Sequence, residues 1–204
     1  MISFIKKLLE KKKDTRIIRE YNKIKKYKKL IKFVYQNTPN GTGDAVLKTK
    51  NLIKDKYFLM LLPDDLIIKR NCSKDMIKIH NKKKCSVMAS MKVNKKTVNR
   101  WGIYSKKSLI NKNNFFIKDV IEKPSINSAP SNSAVIGRYI LSKKIFTKLK
   151  SQKKGKGGEI HITDAIRKLI FDGDKFIGHT FKGKYLDCGT LNGYINSTKE
   201  IGKL

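Results

Sequence analysis

The chain has 204 residues, 39% of them apolar, with 48 basic against 16 acidic side chains and a formal charge of +32. That is enough chain and enough apolar content for one packed domain, and it excludes wholesale disorder. Cys72, Cys85 and Cys188 lack pair spacing, which argues against a disulfide framework or a zinc site, and the longest apolar run, 57–63, is too short to cross a membrane.

The charge first suggests nucleic acid or acidic membrane. Almost all of the cations are lysine, however. The arginines are Arg16, Arg19, Arg70, Arg100, Arg138 and Arg167, and arginine is the usual reader of bases and phosphates. The lysines are spread along the whole chain among asparagines and isoleucines. That distribution reads as a solvated lysine surface able to steer anionic ligands, with nucleic acid not expected as the partner. "ISFIKKLLEKKK" after Met1 has neither the apolar core nor the cleavage site of a signal peptide, so the expected location is the cytoplasm.

In chain order, residues 2–29 read as a charged helix with Ile5, Leu8 and Leu9 on one face. Residues 30–36, "LIKFVYQ", read as a strand, followed by a loop around Gly41 and Gly43 and a helix over about 44–54. "YFLMLLPDD" at 57–65 reads as a buried strand of the sort found inside a parallel sheet. A helix is expected over 73–84 with Ser73 as N-cap, then a strand over 85–93. "WGIYS", "FIKDVIEKP" and "SAVIGRYIL" are strands bounded by turn residues. A short helix over 142–150 and a loop, "SQKKGKGG", come next. A helix in 159–173 has Thr163 or Asp164 near its start and Gly173 as its stop. A strand over 175–183 and a terminal helix in "TLNGYINSTKEIG" complete the chain. Alternating strands and helices predict an α/β sheet, mixed toward its end.

Several strand ends carry groups suited to chemistry. Asp64 and Asp65 follow Pro63 at the carboxyl end of a strand, where open α/β sheets bind ligands. An acid there could hold Mg²⁺, which takes only one or two protein carboxylates, or could simply cap a turn. Glu122 and Lys123 precede Pro124; the pair could bind sugar hydroxyls and a phosphate, or be a surface ion pair. Asn132 offers a donor and an acceptor, or is a turn residue. Asp187 precedes a Gly-Thr turn and is a second possible metal carboxylate. His161 has no partner at catalytic spacing and reads as structural. No Ser-His-Asp or Cys-His arrangement is visible, and the glycine loop lacks the endings of a Walker A motif or dinucleotide fingerprint.

The order of the motifs is more specific than any one of them. "Q(x4)GTGDAV", "LLPDD", "WG", "VIEKP", "APSNSAVIGRYIL", "GGEIHITDAI" and "KYLDCGTLNGY" follow one another as in a known family. From about residue 8 to the end, the chain resembles the bacterial UTP–glucose-1-phosphate uridylyltransferase family of sugar nucleotidylyltransferases. The resemblance implies a Rossmann-like mixed sheet flanked by helices, in one domain over 1–204. It also implies that Gln36 pairs with uracil, that Gly41 lets the backbone approach the base, and that the following helix aims its N-terminus at the nucleotide. Asp64 and, less securely, Asp187 would hold Mg²⁺. Gly102 would meet glucose, with Trp101 in place of the commoner tyrosine. Glu122 and Asn132 would bind the sugar, Lys123 its phosphate, and Lys184 would be a phosphate neighbour. Asp64 and Lys123 would be the catalytic groups, acting on UTP and glucose 1-phosphate to give UDP-glucose.

The family also opens with a strand and a G-x-G-T-R loop around the triphosphate, and no such pattern precedes residue 36 here. By the resemblance, the chain corresponds to the C-terminal two-thirds of the enzyme. Little turnover is then expected from the 204 residues alone, and an open sheet edge would favour a homo-oligomer. The alternatives are a polycationic nucleic-acid binder, a sibling enzyme using another nucleotide or sugar, and an inactive remnant that only associates with other subunits.

Overall fold

The computed structural model describes residue 11 and residues 15–203. Contacts divide the chain between Tyr35 and Gln36, where the sequence predicted one domain, and each part is described by itself. In the first part, helix α1 spans Thr15–Lys28, with three lysines in its last turn. The predicted positions Ile5, Leu8 and Leu9 lie outside the described residues. The predicted strand over 30–36 is absent: residues 31–36 carry no ladder. β-branched and aromatic residues mark a surface that fits a sheet, and without a paired neighbour they do not make a strand.

In the second part, six strands make one sheet in the order β1-β6-β3-β7-β5-β4. They are β1 (Tyr57–Leu61), β3 (Ser86–Lys92), β4 (Gly102–Asn111), β5 (Asn114–Glu122), β6 (Ser133–Ser142) and β7 (Phe176–Thr180). Among the described residues, only β3 and β7 pair in parallel; every other ladder of this sheet is antiparallel. A two-stranded sheet joins β2 (Asp65–Ile68) to β8 (Lys184–Asp187). The helices are α2 (Thr42–Lys48), α3 (Cys72–Lys83), α4 (Ile145–Lys150), α5 (Ile162–Phe171) and α6 (Leu191–Ile201). The Rossmann-like mixed sheet flanked by helices is the architecture found.

Alternation along the strands builds a core on each face of the sheet. Met88, Tyr139 and Leu141 point to one face, where they meet Phe146 and Leu149 of α4 and Ile166 and Leu169 of α5. Val87, Ala89, Ile136 and Ile140 point to the other, against Cys72 and Met76 of α3. Burying each such large apolar side chain contributes roughly 2 kcal/mol.

Several local expectations shift. The N-cap of α3 is Asn71, not Ser73: its Oδ1 accepts from Lys74 N at 3.0 Å. The run 57–61 is an edge strand paired only with β6 among the described residues, rather than an interior strand of a parallel sheet, and Leu59 and Leu61 are 38% and 49% exposed. Helix α2 begins at Thr42 and is seven residues long. Gly173 ends α5 at a φ of 91°, as expected of a glycine stop. Among the described residues, no helix is long and apolar enough to cross a membrane.

Candidate active site

The site forms where β1 ends and β2 begins. Leu62 N donates to Gly137 O at 2.8 Å, and Arg138 Nη1 donates to Leu62 O at 2.8 Å, so β6 fixes the turn that carries Pro63 and Asp64. Cys188 N donates to Asp64 O at 2.8 Å, and the β2–β8 register sets Asp65 opposite Asp187. These bonds bring Asp64 and Asp187 together over Gly189. A Cβ on Gly189 would lie 2.8 Å from Asp64 Oδ2 and 3.4 Å from Asp187 Oδ1. Gly189 N also donates to Asp187 Oδ1 at 2.9 Å. Two carboxylates sharing one glycine-walled space fit a hard divalent cation such as Mg²⁺, which completes its shell with water and phosphate oxygens. Among the described residues, no group of three acidic, His or Cys side chains is placed to hold a metal.

Asp65 lies inward of this pair. Its Oδ2 accepts from Gly137 N at 2.6 Å, and the Tyr185 hydroxyl donates to its Oδ1. Burial pushes its carboxyl above the usual range, against the opposing pull of the Tyr185 and Gly137 hydrogen bonds. The Tyr185 hydroxyl is raised in turn, by its own burial and then by Asp65.

A cavity of about 240 Å³ connects this region to the start of β4 and the end of β5. Asp65, Gly102, Glu122, Lys123, Thr42 and Thr163 are among its walls. Gly102 faces Glu122 across the β4–β5 ladder, and Glu122 Oε2 accepts from Thr163 Oγ1 at 2.7 Å. Lys123 N donates to Trp101 O at 3.0 Å. Lys123 has a φ of 44°, a left-handed conformation that costs a residue with a side chain about 1 kcal/mol or more and is held here by the ladder beside it. The Trp101 ring meets the Tyr185 ring edge-on at 5.9 Å, which ties the β4–β5 wall to Asp65. A larger depression of about 850 Å³ on the outer part of β4 and β5 contains none of the predicted residues.

The glycine loop borders the same cavity through Thr42. The protein itself already demands glycine at position 41. Gly41 has a φ of 96°, and a Cβ there would come within 2.9 Å of Glu159 Cβ and Ile160 O. The loop is pinned by Gly43 N to Ile160 O at 2.7 Å and Ile160 N to Asn40 O at 2.8 Å. Gln36 sits beside it with its amide nitrogen on Gly41 O at 3.1 Å and on Asp44 Oδ2 at 2.7 Å.

Neither Gln36 nor Gly41 is among the cavity walls, and Asn132 and Lys184 sit farther from this cluster. Asn132 Nδ2 donates to Val93 O at 3.3 Å, and its own carbonyl accepts from Val93 N, so it continues the β3–β6 ladder and is not among the cavity walls. Lys184 starts β8 at the end opposite Asp187, and its ammonium pairs with Glu200 of α6. Thr163 was visible in the sequence only as a helix start, and Tyr185 and Gly189 only as neighbours of Asp187. His161 is buried at the N-cap of α5 and lines the cavity.

A mixed α/β sheet flanked by helices, with an acidic pair at its strand ends and Glu122 and Lys123 lining a nearby cavity, has the architecture of the nucleotidyltransferase class. The sequence match is specific: residues 3–203 fit the Nucleotidyl transferase family model, and the chain belongs to that family. It is 40% identical over 161 residues to a UTP–glucose-1-phosphate uridylyltransferase of Pseudomonas aeruginosa, covering 78% of this chain and 57% of that protein. It is 34% identical over 199 residues to the Mycoplasma pneumoniae protein of the same name, covering 93% and 65%. A solved UDP-glucose pyrophosphorylase complexed with UDP-glucose superposes with a TM-score of 0.79 at 38% identity, over 84% of this chain and 66% of that one. The UTP-bound enzyme from Acinetobacter baumannii gives a TM-score of 0.79 at 28% identity, covering 97% and 69%. The chain thus spans less than two-thirds of the length of the first of these relatives.

Proposed function

We propose that this chain serves uridylyl transfer from UTP to glucose 1-phosphate, giving UDP-glucose and pyrophosphate. The observation that carries the reading is the convergence of Asp64 and Asp187 over Gly189, next to a cavity walled by Gly102, Glu122 and Lys123. The names of the relatives point the same way.

In this reading, a phosphate oxygen of glucose 1-phosphate forms a bond to the α-phosphorus of UTP as the bond to the pyrophosphate oxygen breaks. The attacking oxygen is already anionic, so no protein base is needed. The obstacle is repulsion between two polyanions, which fixed positive charge and correct positioning remove. Lys123 sets its ammonium against the sugar phosphate. Glu122, oriented by Thr163, accepts from glucose hydroxyls, and Gly102 leaves room for the ring beside it. Asp64 and Asp187 would hold Mg²⁺, which supplies charge neutralisation to phosphate oxygens when bound.

The direct test is calorimetric titration of the 204-residue chain with UDP-glucose, with and without Mg²⁺. Saturable binding that needs Mg²⁺ and weakens at least about tenfold in Glu122→Gln supports the reading, since lost hydrogen bonds to charged groups are worth ~1.5–3 kcal/mol. Equal binding of dTDP-glucose would move the assignment to a sibling enzyme. No binding of either, with duplex DNA bound steeply more weakly as salt rises, would overturn it.

A further inference from the structure

Gln36 makes two contacts through one nitrogen, and both partners are atoms that can only accept. Its Nε2 lies 2.7 Å from Asp44 Oδ2 and 3.1 Å from Gly41 O. A side-chain amide has two N–H donors and one carbonyl. Turning it over would set its oxygen against a carboxylate and a backbone carbonyl, oxygen on oxygen, in both places at once. The orientation is therefore dictated by the partners. Both N–H bonds are consumed by the protein, and Oε1 is the group left to meet a ligand. Among the described residues, nothing donates to it.

Asp44 is well placed to enforce this. It is 7% exposed and sits in the first turn of α2, whose approach is set by Gly43 N on Ile160 O. Its other oxygen, Oδ1, is 3.8 Å from the Lys48 ammonium one turn along. The carboxylate is thus held by the helix rather than by the ligand, and the amide it orients is set before any ligand arrives.

We propose that Asp44 is a positioning residue that fixes the Gln36 amide with its carbonyl outward, so that the site selects a nucleobase presenting a ring N–H. This rests on the nucleotide-binding reading above and adds a cause for its base choice. Uracil offers N3–H to the outward carbonyl. Cytosine has a lone pair at the same ring position and meets that carbonyl oxygen to lone pair. A cytidine nucleotide of the same shape is rejected because the amide cannot turn over to suit it.

The test compares UDP-glucose with CDP-glucose by calorimetry on the wild-type chain and on Asp44→Asn. Wild type should favour UDP-glucose by about tenfold or more, the equivalent of one hydrogen bond gained and one repulsion avoided. An asparagine can offer Gln36 either a donor or an acceptor at nearly unchanged volume. The preference should then shrink several-fold, mostly through better CDP-glucose binding. A purely structural role for Asp44 would weaken both ligands alike and leave their ratio unchanged, and that result would overturn the proposal while leaving the nucleotide-binding reading standing. Absence of binding of either ligand to wild type would sink both. A second readout needs no ligand: the Gln36 side-chain NH₂ proton pair, followed by ¹⁵N-edited NMR, should be shifted downfield in wild type and move in Asp44→Asn. An unchanged pair would show that the carboxylate does not hold the amide.

Discussion

The Thr163 hydroxyl donates to Glu122 Oε2 over 2.7 Å, joining the first turn of α5 to the last residue of β5. The bond spends one lone pair of the carboxylate and leaves the rest turned to the cavity. Thr163→Val keeps the shape and removes the donor. Affinity for UDP-glucose should fall about fivefold, in line with ~1 kcal/mol for one such bond, while affinity for UDP is unchanged. Calorimetry with both ligands separates the two.

Gly189 is the floor between the Asp64 and Asp187 carboxylates, the pair proposed to hold Mg²⁺. In Gly189→Ala the new methyl would sit 2.8 Å from Asp64 Oδ2, so that carboxylate must move. Binding of Mn²⁺, used as a paramagnetic stand-in for Mg²⁺, should weaken about tenfold or more, the loss expected when one ligand of a two-carboxylate site is displaced. The urea midpoint should change little, because no core contact is altered.

His179 gives the protein a dependence on pH. It is 7% exposed on β7, its Nδ1 meets Asn114 Oδ1 at 2.7 Å, and its Nε2 is buried without a partner. Burial lowers its pKa below the ordinary 6.5. The unfolded chain then binds more protons than the folded one just below pH 6.5, so stability falls as pH drops from that value toward the folded-state pKa. Urea unfolding at pH 7.5 and 5.5 should show this loss, and His179→Gln should reduce it. Equal slopes in the two proteins would remove His179 as the cause.

The three thiols should differ in reactivity. Burial pushes Cys72 up to about 12 and raises Cys85 as well, whereas Cys188 lies partly exposed beside the acidic pair. Thiolate is the reactive form. A thiol reagent should label Cys188 in the folded protein and reach Cys72 and Cys85 only in denaturant, as peptide mass mapping would show.

Much of the candidate site could be singled out in the sequence because its residues sit at the ends of strands with strong local signals. "LLPDD", "IEKP" and "YLDCG" each place a charged residue after an apolar run, and Asp64, Glu122, Lys123 and Asp187 were singled out that way as candidates. What was missed depends on pairing. Strands β2 and β8 are four residues each, too short for alternation to show, yet their ladder is what brings Asp64 to Asp187. The opposite error occurred at 30–36, where β-forming residues lack a ladder. For 57–61, an apolar run reports what a strand could bury and not whether a neighbour is present, so an edge strand read as an interior one. The sequence assigned Gly41 to close approach of a base; the structure adds a second reason for glycine there, the contact of its missing Cβ with Glu159 and Ile160 about 120 residues away, which no local pattern contains.

Strand β1 makes ionic strength a control on the state of the protein. Its outer rim of peptide groups, unpaired among the described residues and with Leu59 and Leu61 partly open, is a template for a further strand, and +32 charges hold one copy away from the next. The reach of that repulsion shrinks from about 10 Å at 0.1 M salt to about 3 Å at 1 M. Larger species should therefore sediment as salt is raised, and Leu61→Lys should suppress them. Colloidal stability in this molecule is then expected to depend on its lysine coat, whose scattered cations acquire a use in keeping the edge strand of one copy from finding another.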